Sequence, residues 1–324
     1  MRLSKPLFFC QFQSHDRKVP SILIDLHSHS RYSSDGTESV ADILGLAHKL
    51  DLGAISICDH DTIAAQREAL ALAPTLNLNY IPAVEMTTDY QEMFLHLLGY
   101  YINVDDERLI ARLDELEKAR WQQAWARVAN LRHLGFAIDD EEFLRQANGK
   151  PPVGPIIARA LFAHPANAQD PRLEPYRSGD RSDKPFYYFD KDWMHEGKPA
   201  YAPANRPEIF AAIRFMRSRG IVPALAHPGE KFDHRTCLPT FAGFRDAGLV
   251  GLEAYSSYHT QEQTEGFLSI ANELDMIVTC GSDYHGQKIK PGVELGMIKV
   301  EGELILATLE GARKLCQSTA SQYS

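Results

Sequence analysis

Short apolar runs that end in a histidine or an acidic residue recur along the chain, and helical patterns follow several of them. Continuous apolar character is typical of strands covered on both faces, as in a parallel sheet or barrel. The seven runs are residues 22–27, 54–59, 79–85, 92–101, 221–227, 249–255 and 276–283. Amphipathic helices are predicted between several of them, at 39–50, 207–219 and 260–274. The alternation predicts an α/β fold with a barrel-like architecture.

The alternation breaks between residues 104 and 203, where the pattern becomes helical. One long helix is predicted at 105–134, two shorter ones at 139–148 and 153–162, and then a loop over 163–199 that is rich in proline, tyrosine and charged residues. The expected organisation is an N-terminal extension over 1–20, a barrel built from 21–103 and 204–324, and a helical insertion over 104–203 that caps the barrel mouth.

Two histidines separated by one residue follow the first apolar run, in Asp25-Leu26-His27-Ser28-His29. Alternate residues of a strand face the same side, so both imidazoles can converge on one metal ion. Taken alone the pair is weak support for a metal site, because partly exposed loop histidines give the same pattern.

Similar side chains end most of the other runs or lie in the loops beside them. In parallel α/β folds the strand ends form one rim, which would gather these side chains around a single cavity. The candidates are His27, His29, Asp35, His60, Glu85, His96, His227, Asp283 and His285. Such a set suffices for two or three ions, and its mixture of imidazoles and carboxylates suits Mn, Fe or Zn better than Mg or Ca.

Other interpretations stay open at individual positions. His96 lies in an apolar run, where a hydrogen-bonded core histidine would give the same pattern. Asp25, Asp59 and Asp61 are expected to orient ligands through hydrogen bonds instead of touching the ions.

Composition and charge indicate a globular protein and argue against binding to duplex nucleic acid or membranes. The chain has 324 residues, of which 44% are hydrophobic and 24% charged, as is typical of a globular protein. A net charge of -9 argues against wrapping duplex nucleic acid, whereas a small anionic substrate is compatible with bound metal ions. The five cysteines form no C-x-x-C pair, and no stretch approaches a membrane span. We expect free thiols and a cytoplasmic protein that does not associate with membranes.

The ligand motifs resemble those of the polymerase and histidinol phosphatase (PHP) family. The matching segments follow the family order over most of the chain: Asp25 to His29, Ser34-Asp35-Gly36, Asp59-His60-Asp61, Glu85, His96, Ala226-His227-Pro228 and Gly281 to Gly286. The resemblance implies a distorted (β/α)7 barrel with a trinuclear metal centre, for which manganese is the first expectation and iron or zinc the alternatives.

The resemblance also implies how the ligands divide among the three ions. One ion would bind His27, His29, Glu85 and Asp283, a second Glu85, His96 and His227, and the third Asp35, His60 and His285. An extra residue in the loop between His29 and Asp35 departs from the family pattern and could shift Asp35.

Within the family, the segments around Lys198, His227 and Glu253 are similar to the RNase AM subgroup of stand-alone bacterial proteins. That likeness implies a phosphoesterase that hydrolyses nucleotide phosphomonoesters such as adenosine 3′,5′-bisphosphate, with 5′-to-3′ exonuclease activity on short RNA. Its expected partners are small nucleotides and short single-stranded RNA or DNA. Two alternatives stay open: a phosphatase for a non-nucleotide metabolite such as histidinol phosphate, and a catalytically silent metal-binding regulatory module.

The sequence constrains the remaining roles less. Asp61, His259 or a metal-bound water could protonate the leaving group. Candidates for phosphate contacts are Lys198, Tyr201, Arg132 and Arg159, the alternative being that each is a solvated surface or helix residue. The oligomeric state and the native metal are left open.

Overall fold

A computed structural model of the protein describes residues 22–91 and 93–323. The predicted extension over 1–20 lies outside the described residues. The chain forms two compact units, one built from residues up to Ile110 together with Pro207–Ser324 and the other from Ala111–Arg206. The predicted insertion overlaps the second unit, and its position over a barrel mouth stays a prediction.

The strands of the first unit form two sheets. The first sheet is parallel and contains β1 (Ile24–Asp25), β2 (Ala54–Ile55) and β3 (Asn79–Tyr80). The second contains, in spatial order, β4 (Ala83–Tyr90), β5 (Met93–Tyr100), β6 (Val222–Leu225), β7 (Gly251–Ser256) and β8 (Ile277–Gly281). In the second sheet β5 is antiparallel to β4 and β6, whereas β6, β7 and β8 run parallel.

The predicted α/β class is confirmed, but two details of the sheet prediction are wrong. The apolar run at 79–85 divides into β3 and β4, with Pro82, which has no backbone N–H to donate, between them. The strand β4 then turns back through Gln91, which has a left-handed φ of 53°, so β5 is antiparallel instead of parallel. The seven-stranded barrel is not confirmed, because the strands of the described residues form two open sheets.

Backbone hydrogen bonds nevertheless connect the two sheets at the ends of their strands. On one side the Leu26 N–H donates to the Cys280 carbonyl at 3.1 Å, and on the other the Glu85 N–H donates to the Asp59 carbonyl at 3.3 Å. The Asp61 N–H returns to the Glu85 carbonyl at 2.8 Å. These bonds bring the ends of β1, β2, β4 and β8 to one place, which is where most of the predicted ligands lie.

The helices of the described residues are α1 (Val40–Lys49), α2 (Gln66–Leu72), α3 (Glu107–His133), α4 (Asp140–Ala147), α5 (Gly154–Ala163), α6 (Glu174–Arg177), α7 (Pro185–Trp193), α8 (Ile209–Ser218), α9 (Leu238–Asp246), α10 (Gln261–Glu273) and α11 (Gly302–Thr319). The predicted helices at 39–50, 207–219 and 260–274 are confirmed as α1, α8 and α10. Thr260 and Gln263 form a capping box that starts α10, which places His259 immediately before the helix.

In the second unit the three predicted helices are confirmed as α3, α4 and α5, but the predicted loop over 163–199 contains α6 and α7. Pro185 suits the first turn of α7, where no backbone N–H bond is needed. Phe189 on this helix is fully buried and packs against the rings of Phe136 and Trp193 at 5.8 and 5.6 Å. Aromatic residues of the segment predicted as a loop therefore belong to the core of the second unit.

The cysteines of the described residues carry free thiols, as predicted, and all are buried: Cys58, Cys237, Cys280 and Cys316. Cys10 lies outside the described residues. Within the described part of the chain, no helix is both long enough and apolar enough to span a bilayer.

Candidate metal centre

All nine predicted ligands lie in the first unit, each on a strand or in the segment that follows one. His27 and His29 follow β1, and His60 follows β2. Glu85 and His96 lie on the neighbouring strands β4 and β5. The remaining ligands are in loops, with Asp35 after β1, His227 after β6, and Asp283 and His285 after β8. The predicted convergence of these side chains therefore involves both sheets.

Glu85 is at the centre of the cluster and is fully buried. Its Oε1 lies 3.3 Å from His27 Nε2, 3.2 Å from His96 Nδ1 and 3.2 Å from His227 Nε2. Its Oε2 lies 3.2 Å from His29 Nε2 and 2.9 Å from His60 Nδ1. One carboxylate thus faces five imidazoles, an arrangement in which a bridging metal ligand would serve several ions.

Three groups of side chains in this cluster could each hold a metal ion, because their ligand atoms lie within 4.8 Å of one another. They are His27, His29, Glu85 and Asp283; His29, Asp35, His60 and His285; and His60, Glu85 and His96. The first group is the set implied for the first ion, and the second is the set implied for the third ion with His29 added. His227 Nε2 lies 3.4 Å from His96 Nδ1, beside the third group. The assignment of individual ligands to ions stays a prediction.

Several buried polar atoms of the cluster have no hydrogen-bond partner among the described residues, including His60 Nδ1, Glu85 Oε2 and Asp283 Oδ1. His60 Nδ1 and Glu85 Oε2 are only 2.9 Å apart, but their geometry is not that of a hydrogen bond. Because buried polar groups are normally paired, such atoms need another partner. Lone pairs that converge on common points without bonding each other fit divalent metal ions.

The electrostatics of the cluster favour ionised carboxylates. Burial raises the pKa of Glu85, but the charges of His60, His96 and His27 outweigh it and hold that pKa well below its ordinary value. Burial likewise opposes ionisation of Asp283, and His27 and His285 reverse the balance, so its pKa is also well below the ordinary value. Both groups are therefore in the form that binds metal at neutral pH.

His29 and His227 differ in protonation. Burial, together with the charges of His285 and His60, lowers the pKa of His29 to about 4, so its ring is neutral and can donate a lone pair. Burial lowers the pKa of His227 too, but Glu230 and Glu85 raise it to about 9 overall. Metal binding at His227 must therefore displace a proton.

Glu253 on β7 is a site residue that the sequence-based selection missed. Its Oε1 lies 3.0 Å from His27 Nδ1, and its Oε2 accepts the backbone N–H of His227 at 2.7 Å. A carboxylate that accepts from Nδ1 keeps the proton on that atom and leaves Nε2 for a metal ion. Glu230 orients His227 in a similar way, with Oε2 3.1 Å from Nδ1. The sequence feature that could have identified Glu253 is an acidic residue within an otherwise apolar strand.

The aspartates expected to orient ligands contact backbone groups and hydroxyls. Asp25 Oδ1 accepts the N–H groups of His27 at 3.3 Å and Ser282 at 3.0 Å. Asp59 accepts the Ser30 N–H and hydroxyl, both at 2.7 Å. Burial raises the pKa of Asp59 to about 6 despite these bonds from Ser30. These aspartates therefore fix the loops that carry the ligands.

Asp61 and His259, the predicted proton donors, are both held by neighbouring groups. The Asp61 carboxylate accepts the Thr87 N–H at 2.7 Å and the Thr87 hydroxyl at 2.9 Å. His259 Nδ1 lies 2.8 Å from the Ala254 carbonyl, and Nε2 accepts the Gly229 N–H at 2.9 Å. Burial lowers the pKa of His259, so the ring is neutral in this position.

Three residues at or beside the centre have positive φ values. Asp61, His227 and Asp283 have φ values of 55°, 25° and 55°, in the left-handed region that side chains usually avoid. Such conformations cost free energy and persist where the surroundings hold them for a functional geometry. Two of these residues, His227 and Asp283, place their side chains in the cluster.

The predicted phosphate-binding side chains all lie in the second unit. Arg132 donates to the Ile138 carbonyl and contacts Asp140, and the Arg159 guanidinium lies 5.3 Å from the centre of the Phe186 ring. Lys198 and Tyr201 are exposed. A contact between any of the four and a substrate stays a prediction.

The fold and the site together define an α/β protein with a buried centre of histidines and carboxylates that could hold metal ions. Residues 25–151 match the family model of the PHP domain, and this segment carries the ligands from His27 to His96. Beyond this segment, similarity to curated relatives extends over most of the chain.

Two curated relatives are similar over most of their lengths. The 3′,5′-nucleoside bisphosphate phosphatase of Chromobacterium violaceum is 25% identical over 263 residues, covering 81% of this chain and 87% of the relative. The 5′-3′ exoribonuclease Rnm of Escherichia coli is 25% identical over 282 residues, covering 85% and 89% of the two chains.

Solved structures share the fold. A protein from Bifidobacterium adolescentis, described as a metal-dependent phosphoesterase, matches with a TM-score of 0.71 and 25% identity over 90% of this chain and 96% of that chain. A protein from Chromobacterium violaceum also matches with a TM-score of 0.71, at 24% identity over 90% and 96% of the two chains, and this likeness concerns the fold alone.

Proposed function

We propose that this protein is a metal-dependent phosphoesterase that hydrolyses phosphomonoesters of nucleotides, with 3′,5′-nucleotide bisphosphates as the leading substrates. The observation that carries the proposal is the buried cluster around Glu85. Its nitrogen and oxygen atoms that have no hydrogen-bond partner are suited to coordinate divalent ions. The relatives from Chromobacterium violaceum and Escherichia coli, named for activity on nucleoside bisphosphates and on RNA, support this substrate class. Short single-stranded RNA or DNA is the second substrate class.

We further infer three divalent ions, with manganese preferred. The three overlapping ligand groups support that number, and their mixture of imidazoles and carboxylates supports manganese, iron or zinc over magnesium. The backbone bonds from Leu26 to Cys280 and from Glu85 to Asp59 support closure of the two sheets into a distorted (β/α)7 barrel.

The chemistry of such a centre is established in general terms. Divalent ions lower the pKa of a water and neutralise negative charge on phosphate oxygens. The chain contributes the geometry: Glu85 draws the ligands together, Glu253 fixes the His27 ring, and burial excludes bulk water. Ionised carboxylates keep the site attractive to cations at neutral pH.

Proton delivery to the leaving group is assigned to Asp61 or His259. His259 Nε2 accepts from Gly229, so this ring can donate a proton only after that bond is released. Asp61 must likewise give up one of its bonds from Thr87. A pH–rate profile of Asp61→Asn and of His259→Gln separates the two, because loss of the true donor removes the basic limb of the profile.

For substrate contacts in the second unit we place the exposed Lys198 and Tyr201 ahead of Arg132 and Arg159. The arginines already contact a carbonyl, a carboxylate or an aromatic ring within their own unit. If Lys198 binds phosphate, Lys198→Ala should lower kcat/KM by the equivalent of roughly 1.5 to 3 kcal/mol, the worth of a hydrogen bond to a charged group.

The proposal is tested by phosphate release from adenosine 3′,5′-bisphosphate, 5′-AMP, a short 5′-phosphorylated RNA and histidinol phosphate, with manganese and with chelator. Manganese-dependent turnover confined to the nucleotides supports both the reaction and the substrate class. Histidinol phosphate as the best substrate would keep the reaction and replace the substrate class. Bound metal without turnover on any of the four would favour a regulatory module.

A further inference from the structure

The two carboxylate oxygens of Asp283 face different surroundings. Oδ1 lies 2.9 Å from His29 Nε2 and 3.3 Å from His27 Nε2, within the ligand cluster. Oδ2 points away from these histidines and accepts the Tyr258 hydroxyl at 2.9 Å, and the Lys290 ammonium also donates to it. Asp283 is thus shared between the metal centre and a lysine at its edge.

Tyr258 and Lys290 form one unit with this carboxylate. The Lys290 ammonium also donates to the Tyr258 hydroxyl and lies 4.8 Å from the centre of the Tyr258 ring. The Tyr258 ring in turn lies 5.1 Å from the His227 ring. Tyr258 therefore contacts the lysine and two of the predicted ligands, Asp283 and His227.

Lys290 keeps a donor for another partner. An ammonium group has three N–H donors, and the described contacts with Asp283 and Tyr258 use two of them. The Lys290 side chain is 25% exposed, whereas that of Asp283 is only 4% exposed. Lys290 is therefore the more accessible partner of this pair to an acceptor that arrives from solvent.

The charge of Lys290 is unfavourable for metal binding alone. The lysine ammonium group competes with a metal ion for the negative charge of the Asp283 carboxylate, and its positive charge repels the metal ion. The same charge becomes favourable when a phosphate group joins the centre, because phosphate brings negative charge that the lysine and the ions can share. A lysine in this position therefore suits a site that binds an anion together with its metals.

We propose that Lys290, held in place by Tyr258, binds a phosphate oxygen of the substrate at the Asp283 edge of the metal centre. The proposal rests on the phosphoesterase function proposed above and adds a phosphate-binding residue from the first unit to it.

The test compares Lys290→Met and Lys290→Gln with wild type, with Lys288→Met as the matched control. Lys288 lies in the same loop and is exposed, so its loss changes net charge equally without touching the centre. Inorganic phosphate binding to the manganese-loaded proteins is measured by calorimetry, manganese affinity by competition with a chromogenic chelator, and folding by thermal unfolding. KM and kcat are measured with adenosine 3′,5′-bisphosphate.

Both Lys290 variants should bind phosphate roughly 10- to 100-fold more weakly and show a raised KM, the loss expected for a charge-assisted hydrogen bond. They should retain manganese at wild-type or higher affinity, and Lys288→Met should match wild type. The Tyr258→Phe variant, which loses the anchor without a change of charge, should show a smaller loss of phosphate affinity.

Unchanged phosphate affinity in both Lys290 variants would overturn the proposal, as would a loss of manganese, which would assign Lys290 to the positioning of Asp283 instead. The two proposals fail separately. Failure of wild type to hydrolyse any phosphomonoester would reject the function, whereas calorimetry with phosphate still decides the role of Lys290.

Discussion

Replacement of Glu253 by glutamine changes one atom of the site and tests whether hydrogen bonds behind the ligands control metal binding. Glu253 accepts from two donors, His27 Nδ1 at 3.0 Å and the His227 N–H at 2.7 Å. Glutamine offers one acceptor oxygen and one NH2 group, so it can satisfy only one of these donors. Whichever way the amide turns, one buried donor faces another.

The expected size of the effect follows from that mismatch. If the NH2 group faces His27, the ring must move its proton to Nε2, the atom that faces Glu85 and Asp283, and His27 can no longer bind metal. If it faces the His227 N–H, the loop that carries His227 is displaced. Loss of such a supporting hydrogen bond usually costs roughly 10- to 100-fold in metal affinity, or about 1.4 to 2.8 kcal/mol.

The assay is manganese affinity by competition with a chromogenic chelator, at pH 7 and on protein whose thermal unfolding is measured alongside. Glu273→Gln is the matched control, since Glu273 lies on α10 after the same strand and is exposed. Wild-type manganese affinity in Glu253→Gln, in a folded protein, would refute the reasoning that the His27 tautomer is set by this carboxylate.

Three further predictions concern the centre and the fold. Glu85→Gln removes the negative charge that faces five imidazoles. Mass spectrometry of the metal-loaded variant should show fewer manganese ions per chain than wild type, and activity should be lost. Full manganese occupancy would contradict a bridging role of Glu85. Chelation should lower the thermal midpoint, because ions at 100 times their Kd stabilise the folded state by about 2.7 kcal/mol; an unchanged midpoint in calorimetry would exclude tight binding. Asp106→Ala should destabilise the protein at pH 7 by about 1 kcal/mol, as Asp106 Oδ1 caps α3 through the Arg108 and Leu109 N–H groups and Oδ2 binds Arg219. Burial raises the pKa of Asp106, but these bonds, led by the one from Arg219, outweigh burial and lower the pKa below 3.8. The stabilisation is therefore present above pH 3.8 and is lost as the pH falls below it. Denaturation curves should show that the difference in stability between variant and wild type is smaller at pH 3 than at pH 7.

The sequence indicated which side chains would converge because their positions depend on local rules. Side chains at the ends of apolar runs meet wherever buried strands lie side by side, so His27, Glu85 and Asp283 could be selected without coordinates. Helices with a clear apolar face, such as α1 with Val40, Ile43, Leu44 and Ala47 buried, are equally local.

The residues behind the ligands depend on contacts that sequence patterns do not encode. Glu253 and His27 are 226 positions apart, and nothing near either one indicates the pairing. The antiparallel direction of β5 depends on a turn at Gln91, where a left-handed φ occurs in a residue that does not favour it. The helix α7 was missed because it is short and lies in a segment rich in proline, tyrosine and charged residues, a composition that favours a loop.

The position of the ligands suggests why metal binding and folding should be coupled. His27, His29 and His60 follow strands of the three-stranded sheet, whereas Glu85, His96 and Asp283 lie on or after strands of the five-stranded sheet. Among the described residues the ladders of the two sheets are separate, and bonds such as those of Glu85 with Asp59 and Asp61 join them. An ion held by His27, His29, Glu85 and Asp283 would add a link between the sheets at the point where backbone pairing is sparse. Ions bound there would offset the repulsion between the gathered carboxylates, so the same ions that would serve phosphoester hydrolysis would also stabilise the junction between the two sheets.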